Sequence, residues 1–182
     1  MPVMGGSSVT RFRRVDGSDA SSFRELRLRA LQSDPQAFGS TYEREAQMPH
    51  SRWQTWVDRS SAGDAALIAL AEANGVVIGM AGGYQPDGKP HERVVWGMWV
   101  DPEWRGAGVG YGLVGAVEDW AIQAGALRLV LWVVETNHGA VDLYRKAGFI
   151  ATGETQALPS DEFLEEVLLS KPIGSTQSDK RT

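Results

Sequence analysis

The chain has 182 residues, 42 % hydrophobic and 23 % charged, with a net charge of −5 and no cysteine. These figures fit one folded domain and exclude disulfides, thiolate metal sites and cysteine nucleophiles. No long basic run marks a nucleic-acid surface, no apolar stretch approaches the roughly 18 residues of a membrane span, and residues 1–8 lack a signal-peptide pattern, so neither nucleic acid nor membrane is expected as a partner and a cytoplasmic location is.

Residues 1–8 are small and polar and read as a flexible lead. Residues 173–182 read as a flexible tail, leaving 9–172 as the domain. Residues 10–15 alternate as a first strand. Phe23, Leu26, Leu28, Ala30 and Leu31 then ride on an arginine-rich helix that Asp34-Pro35 ends. A turn and short helix follow over 37–47, and Ser51 is positioned to cap another helix carrying Trp53, Trp56 and Val57. Strands at 65–73 and 76–84 flank Asn74-Gly75, a strong hairpin signal. A polar loop over 85–90 leads to a nearly continuous apolar strand at 93–100.

Val109, Leu113, Val117, Trp120, Ala121 and Ala124 recur at helical spacing, with Gly125 as a fitting stop. Residues 127–134 form an apolar strand of the kind buried on both faces. Strand, helix and strand in that order make a βαβ unit, with parallel strands and a right-handed crossover. Asn137 can cap a further helix through Ala147, ended by Gly148, and 149–152 and 166–169 read as the last strands. The predicted architecture is a single α/β domain with a mixed central sheet of about seven strands flanked by helices.

Between that strand and helix lies Asp101-Pro102-Glu103-Trp104-Arg105-Gly106-Ala107-Gly108-Val109-Gly110-Tyr111. The first turn of a helix has unpaired N–H groups and a positive dipole end, so it holds phosphate without many side chains. Glycines let a ligand approach the backbone closely. A Walker loop would need Gly-Lys-Ser/Thr where Gly110-Tyr111 stands, and a dinucleotide fingerprint would need a different glycine spacing. The segment alone is also compatible with a tight turn that binds nothing. After the second parallel strand comes a further cluster, in which Asn137 and Tyr144 stand seven residues apart, about two helical turns. Both are expected to point toward one cleft.

The first block (Val100, Pro102, Arg105, Gly106, Gly108, Gly110) and the second (Asn137, Ala140, Leu143, Tyr144, Lys146, Gly148, Phe149) together resemble the GNAT superfamily of N-acetyltransferases. The resemblance covers roughly residues 65–169. The run Leu26-Arg27-Leu28-Arg29-Ala30-Leu31 with Asp34-Pro35 and Ala37-Phe38-Gly39-Ser40 resembles a common bacterial branch. The resemblance implies splayed fourth and fifth strands that admit the pantetheine arm of acetyl-CoA beside the backbone of Met98, Trp99 and Val100. It implies a pyrophosphate held from Arg105 through Gly106, Ala107, Gly108, Val109 and Gly110 to Tyr111, with Asn137 on the pantetheine or adenylate side. Tyr144 would be the general acid. The expected reaction is direct attack of a primary amine on the thioester in a ternary complex, without a metal. A homodimer is compatible with the resemblance.

One role stays open, the general base. Neither 94–100 nor 129–134 contains an ionisable side chain. Glu92 lies about 20 Å before Met98 along an extended strand. Glu135 and His138 fall beyond the strand end, and Glu72, Glu43 and Glu45 on neighbouring elements read as surface charges. A water relay or an amine of low pKa would fill the role, and a non-catalytic acyl-CoA-binding module of the same fold is the alternative; a phosphate-binding scaffold for another nucleotide is the third. Of the aromatic residues, Trp96 shares strand parity with Met98 while Trp99 faces the other way, so one of the two is expected to face the cleft. Trp53 and Trp56 are expected in the core.

Overall fold

In the computed structural model, residues 9–174 are described. The elements are β1 (Arg11–Arg14), α1 (Ala20–Ser33), α2 (Tyr42–Ala46), α3 (His50–Ser60), β2 (Ala66–Ala73), β3 (Val76–Tyr84), β4 (Glu92–Val100), α4 (Val109–Gln123), β5 (Arg128–Val134), α5 (His138–Lys146), β6 (Ile150–Leu158) and β7 (Asp161–Pro172). Short 3-10 turns lie at Pro35–Ala37 and Pro102–Trp104. One seven-stranded sheet runs in the order β1-β2-β3-β4-β5-β7-β6. Only the β4–β5 pairing is parallel, as a βαβ unit requires.

Each face of the sheet buries its own core. On one side, Phe23, Leu26 and Leu31 of α1 and Trp53 and Val57 of α3 pack on Ile68, Leu70, Met80 and Trp99. Trp53 is fully buried and stands edge-on to Phe23 and Trp56 at 5.9 and 5.3 Å, so both expected core tryptophans belong to this cluster. On the other side, Leu113, Val117 and Trp120 of α4 and Val141 and Tyr144 of α5 pack on Leu129, Leu131, Val133 and Leu169. Leu113 and Val117 have no exposed surface; burying each contributes about 1.5–3 kcal/mol.

The β2–β3 turn is the two-residue hairpin that Asn74-Gly75 predicts, and both residues take positive φ, 53° and 77°. Elsewhere the elements run longer than expected. β6 and β7 extend over 150–158 and 161–172 because they pair with each other along most of their length. Ile173, assigned to the tail from sequence, is instead buried and donates its N–H to the Leu127 carbonyl at 2.9 Å. The expected lead at 1–8 and the tail beyond 174 lie outside the described residues. Ser51 does not cap α3. That helix starts at His50, two residues earlier than a cap at Ser51 would place it, with Pro49 in the cap position and no side-chain cap. Among the described residues, no helix is long and apolar enough to cross a membrane.

Candidate functional site

β4 and β5 are paired only at Glu92–Arg128, Arg93–Leu129 and Val94–Val130. Past Val94 each strand follows its other neighbour, β4 staying with β3 to Gly79–Val100 and β5 with β7 to Val134–Glu166. The sheet therefore opens between residues 95–100 and 131–134, as expected of the fourth and fifth strands. Backbone N–H and C=O groups that a sheet would pair there are left facing the gap.

A bulge accompanies the opening. Met80 pairs with Trp99 and Gly82 with Trp96, so β4 spends one more residue than β3 over this stretch. Gly97 lies inside the bulge with φ 62°, a conformation that suits glycine. The extra residue reverses the side-chain alternation. Trp96 and Trp99 therefore both face the α1–α3 side, while Met98 and Val100 face α4. This corrects the expected parity of Trp96 with Met98. Trp96 lies across Gly82 and beside Trp56, and Trp99 is the tryptophan that borders the cleft.

The opened strands lead into a groove of about 610 Å3 lined by Met98, Trp99, Val100, Arg105, Gly106, Gly108, Gly110, Tyr111 and Asn137. Ala107 lies in the same loop, and Val109 turns its side chain into the core. Gly108 caps α4 with φ 82°, and the first backbone bond at this end runs from Gly112 N–H to Gly108 C=O. The N–H groups before it have no intrahelical partner. A Cβ on Gly106 or Gly108 would meet nothing within 4 Å, whereas one on Gly110 would stand 3.0 Å from Leu143. The lining thus offers free amide donors, a positive helix end and open space. These are what a pyrophosphate requires, so the residues present fit coenzyme A.

Asn137 lines the groove and caps α5, its Oδ1 accepting from the Ala140 N–H at 3.2 Å. Tyr144 is placed differently from Asn137. It is 6 % exposed, stands edge-on to Phe149 at 5.7 Å and is not among the groove-lining residues, of which Ala140 and Leu143 are its helix neighbours. Burial pushes its phenol well above the usual tyrosine value. The hydroxyl therefore keeps its proton across the physiological range.

Asp34, read from sequence only as a helix stop, sits at the groove mouth. Its carboxylate accepts from Trp99 Nε1 at 2.7 Å, from Arg105 Nη2 at 2.7 Å and from the Ser33 hydroxyl. Burial alone would raise its pKa, but the hydrogen bonds from Arg105, Ser33 and Trp99 and the charge of Arg105 outweigh it and hold it below the ordinary aspartate value. Arg105 also donates Nε to the Val100 carbonyl at 2.9 Å, so its side chain ties the loop to both α1 and β4. The one sequence signal for Asp34 was its place in the Asp34-Pro35 run.

The acidic residues weighed from sequence are mostly engaged elsewhere. Glu92 pairs with Arg128 and Lys89, Glu72 with Arg13, and Glu45 with Arg27 in a buried two-point contact of 2.8 and 2.9 Å. Glu43, Glu135 and His138 are exposed. A second cavity of about 310 Å3 adjoins the groove, sharing Asp34, Ala37 and Asn137, and is otherwise lined by Ser33, Pro35, Gln36, Val134 and Thr136.

A seven-stranded mixed sheet, parted fourth and fifth strands and a glycine-rich helix start at their mouth define a domain of the GNAT type. The chain belongs to the acetyltransferase (GNAT) family, whose profile matches residues 26–149. It is 28 % identical over 155 residues to the mycothiol acetyltransferase of Cellulomonas flavigena, covering 81 % of this chain and 41 % of that protein. It is 31 % identical over 94 residues to an acetyltransferase of Yersinia pestis, covering 51 % of this chain and 64 % of the other. The chain thus spans less than two thirds of the length of these relatives. In fold it is similar to the GNAT-family acetyltransferase of Streptococcus pneumoniae (TM-score 0.79, 22 % identity, 91 % of this chain and 100 % of that one). It is also similar to yncA of Salmonella typhimurium, solved with its cofactor acetyl-CoA (TM-score 0.77, 19 % identity, 96 % and 100 %).

Proposed function

We propose that the protein transfers an acetyl group from acetyl-CoA to a primary amine by direct attack in a ternary complex. The observation that carries this reading is the meeting of two features in one groove: the gap between β4 and β5, and the free amide donors at the start of α4. The backbone of Met98, Trp99 and Val100 would pair with the pantetheine arm as an added strand would. The amides from Arg105 to Tyr111 would hold the pyrophosphate, with Asn137 beside the pantetheine. Acetyl-CoA supplies an acetyl carbon activated by its thioester.

The chain's own residues supply the rest. A backbone N–H near Met98–Val100 would steady the developing oxyanion. The C–N bond forms as the C–S bond breaks, the phenol of Tyr144 gives its proton to the sulfur, and the amine's proton leaves through water. Tyr144 takes this role from the resemblance of its segment to the family; its helix neighbours Ala140 and Leu143 line the groove, and its phenol carries a proton to give. Thiol release from acetyl-CoA with a panel of amines tests the reading. The lack of an ionisable side chain along both strands at the gap favours one alternative, an acyl-CoA-binding module without turnover. Binding of acetyl-CoA with no thiol release would select it.

A further inference from the structure

Asp34 stands in the C-terminal cap position of α1. An acidic side chain there opposes the negative end of the helix dipole, so α1 itself does not account for it. Beyond the adjacent Ser33, its contacts lead to the groove. The carboxylate accepts from Trp99 and Arg105, and the residue lines both the groove and the second cavity.

The Arg105 fork is engaged within the protein. Nη2 and Nη1 face the Asp34 carboxylate at 2.7 and 3.5 Å, and Nε donates to the Val100 carbonyl at 2.9 Å. The Arg105 backbone N–H donates to the Pro102 carbonyl at 3.3 Å, so the segment from 100 to 105 closes on itself. A planar guanidinium held by a carboxylate in this way has its direction fixed and its charge matched. α1 meets the same segment a second time with the polarity reversed. Arg29 pairs with Asp101 at 3.2 Å, and its guanidinium lies over the Trp99 ring, 5.5 Å from the centroid. Sliding the loop along α1 would set like charges together, so the two pairs favour one register.

We propose that Asp34 is a positioning residue for acyl-CoA. It makes the Arg105 side chain a strut of the loop and leaves the pyrophosphate to the backbone amides and the helix end. This rests on the reading of the groove as the acyl-CoA site. The braced stretch runs from Trp99 and Val100, which lie where β4 has parted from β5, to Gly106, where the loop has open space for a ligand.

A direct contact from Arg105 to phosphate predicts the opposite sign for one variant. Asp34→Asn keeps an acceptor for Trp99 and removes the charge that holds Arg105. With Arg105 as a strut, the Kd of acetyl-CoA, measured by calorimetry, should rise by on the order of tenfold, the scale of one charge-assisted hydrogen bond. With Arg105 as a phosphate ligand, freeing it should lower the Kd. Arg105→Met should weaken binding by a similar factor, and the double variant no further than the single ones, since each removes the same strut. Glu118→Gln breaks another ion pair, 2.6 Å from Lys171, whose residues line neither cavity. It should leave the Kd unchanged, which separates lost positioning from lost stability. Unchanged or tighter binding by Asp34→Asn overturns the proposal. So do losses that add in the double variant, or an equal loss in Glu118→Gln. A natural protein that does not bind acetyl-CoA overturns the reading of the groove, and the strut with it. The comparison needs no turnover, so binding without thiol release would sink the transferase reading while the Kd values still decide the role of Asp34.

Discussion

A 2.7 Å ion pair joins Asp34, at the end of α1, to Arg105, in the loop that opens α4. The same carboxylate takes the indole N–H of Trp99 on β4. The end of α1 is therefore locked to β4 and to the loop that follows it, at the mouth of the groove, by one side chain. The Arg105 partner is 45 % exposed, so its charge pairing alone contributes at most about 1 kcal/mol. The larger share belongs to the Trp99 N–H, which is otherwise left in a buried setting. Asp34→Ala is expected to cost about 1–3 kcal/mol, and Asp34→Asn less, because an amide oxygen still accepts from Trp99. Thermal unfolding measures both, at about 2–4 °C per kcal/mol for a chain of this size.

The depressed pKa of Asp34 carries a pH signature. Its folded value lies below the unfolded one of about 3.9, so the unfolded chain binds more protons in the window between them. The stabilisation is complete above the unfolded value and is lost as pH falls through the folded one. Between about pH 6 and pH 3 the natural protein should lose more stability than Asp34→Asn does. Parallel losses in urea titrations would show that the Asp34 carboxylate contributes nothing to the pH dependence of stability.

Gly110 tests whether the groove is the acyl-CoA site. A branched side chain there, in the first turn of α4, would press on Leu143, 3.0 Å from the new Cβ, and on Val100, both of which line the groove. Gly110→Val is expected to remain folded, with an overpacking cost of about 1–3 kcal/mol, and to lose most of the stabilisation by acetyl-CoA. Gly115 has nothing within 4 Å of an added Cβ and lies inside α4. Gly115→Ala should gain about 0.4–1 kcal/mol and keep the ligand response.

Tyr144→Phe removes a hydroxyl and leaves the ring against Phe149. Turnover is expected to fall by about 10²–10⁴-fold, while acetyl-CoA stabilises the variant as it does the natural protein. Unchanged kcat would mean that the thiolate leaves without help from this residue.

Much of the fold was legible because local signals agreed with the global one. Asn74-Gly75 predicts a turn with two positive φ values, and both are found. The spacing of Val109, Leu113, Val117 and Trp120 predicts the stripe that α4 buries. The β4 bulge was hidden because the run around Gly97 is apolar throughout, so no change in alternation marks the extra residue. Asp34 was hidden for another reason. Its partners Trp99 and Arg105 meet it only through the packing of α1 on the sheet. Tyr144 was expected to share the cleft with Asn137. Helical spacing gave the side of α5 but not how deep its packing against Phe149 would draw the ring.

Acetyl transfer is tested most directly by mass analysis of the amine after incubation with acetyl-CoA. The amine is expected to gain one acetyl group, with one thiol released for each. No acetylated amine above a protein-free control, from a protein that acetyl-CoA demonstrably stabilises, would contradict it.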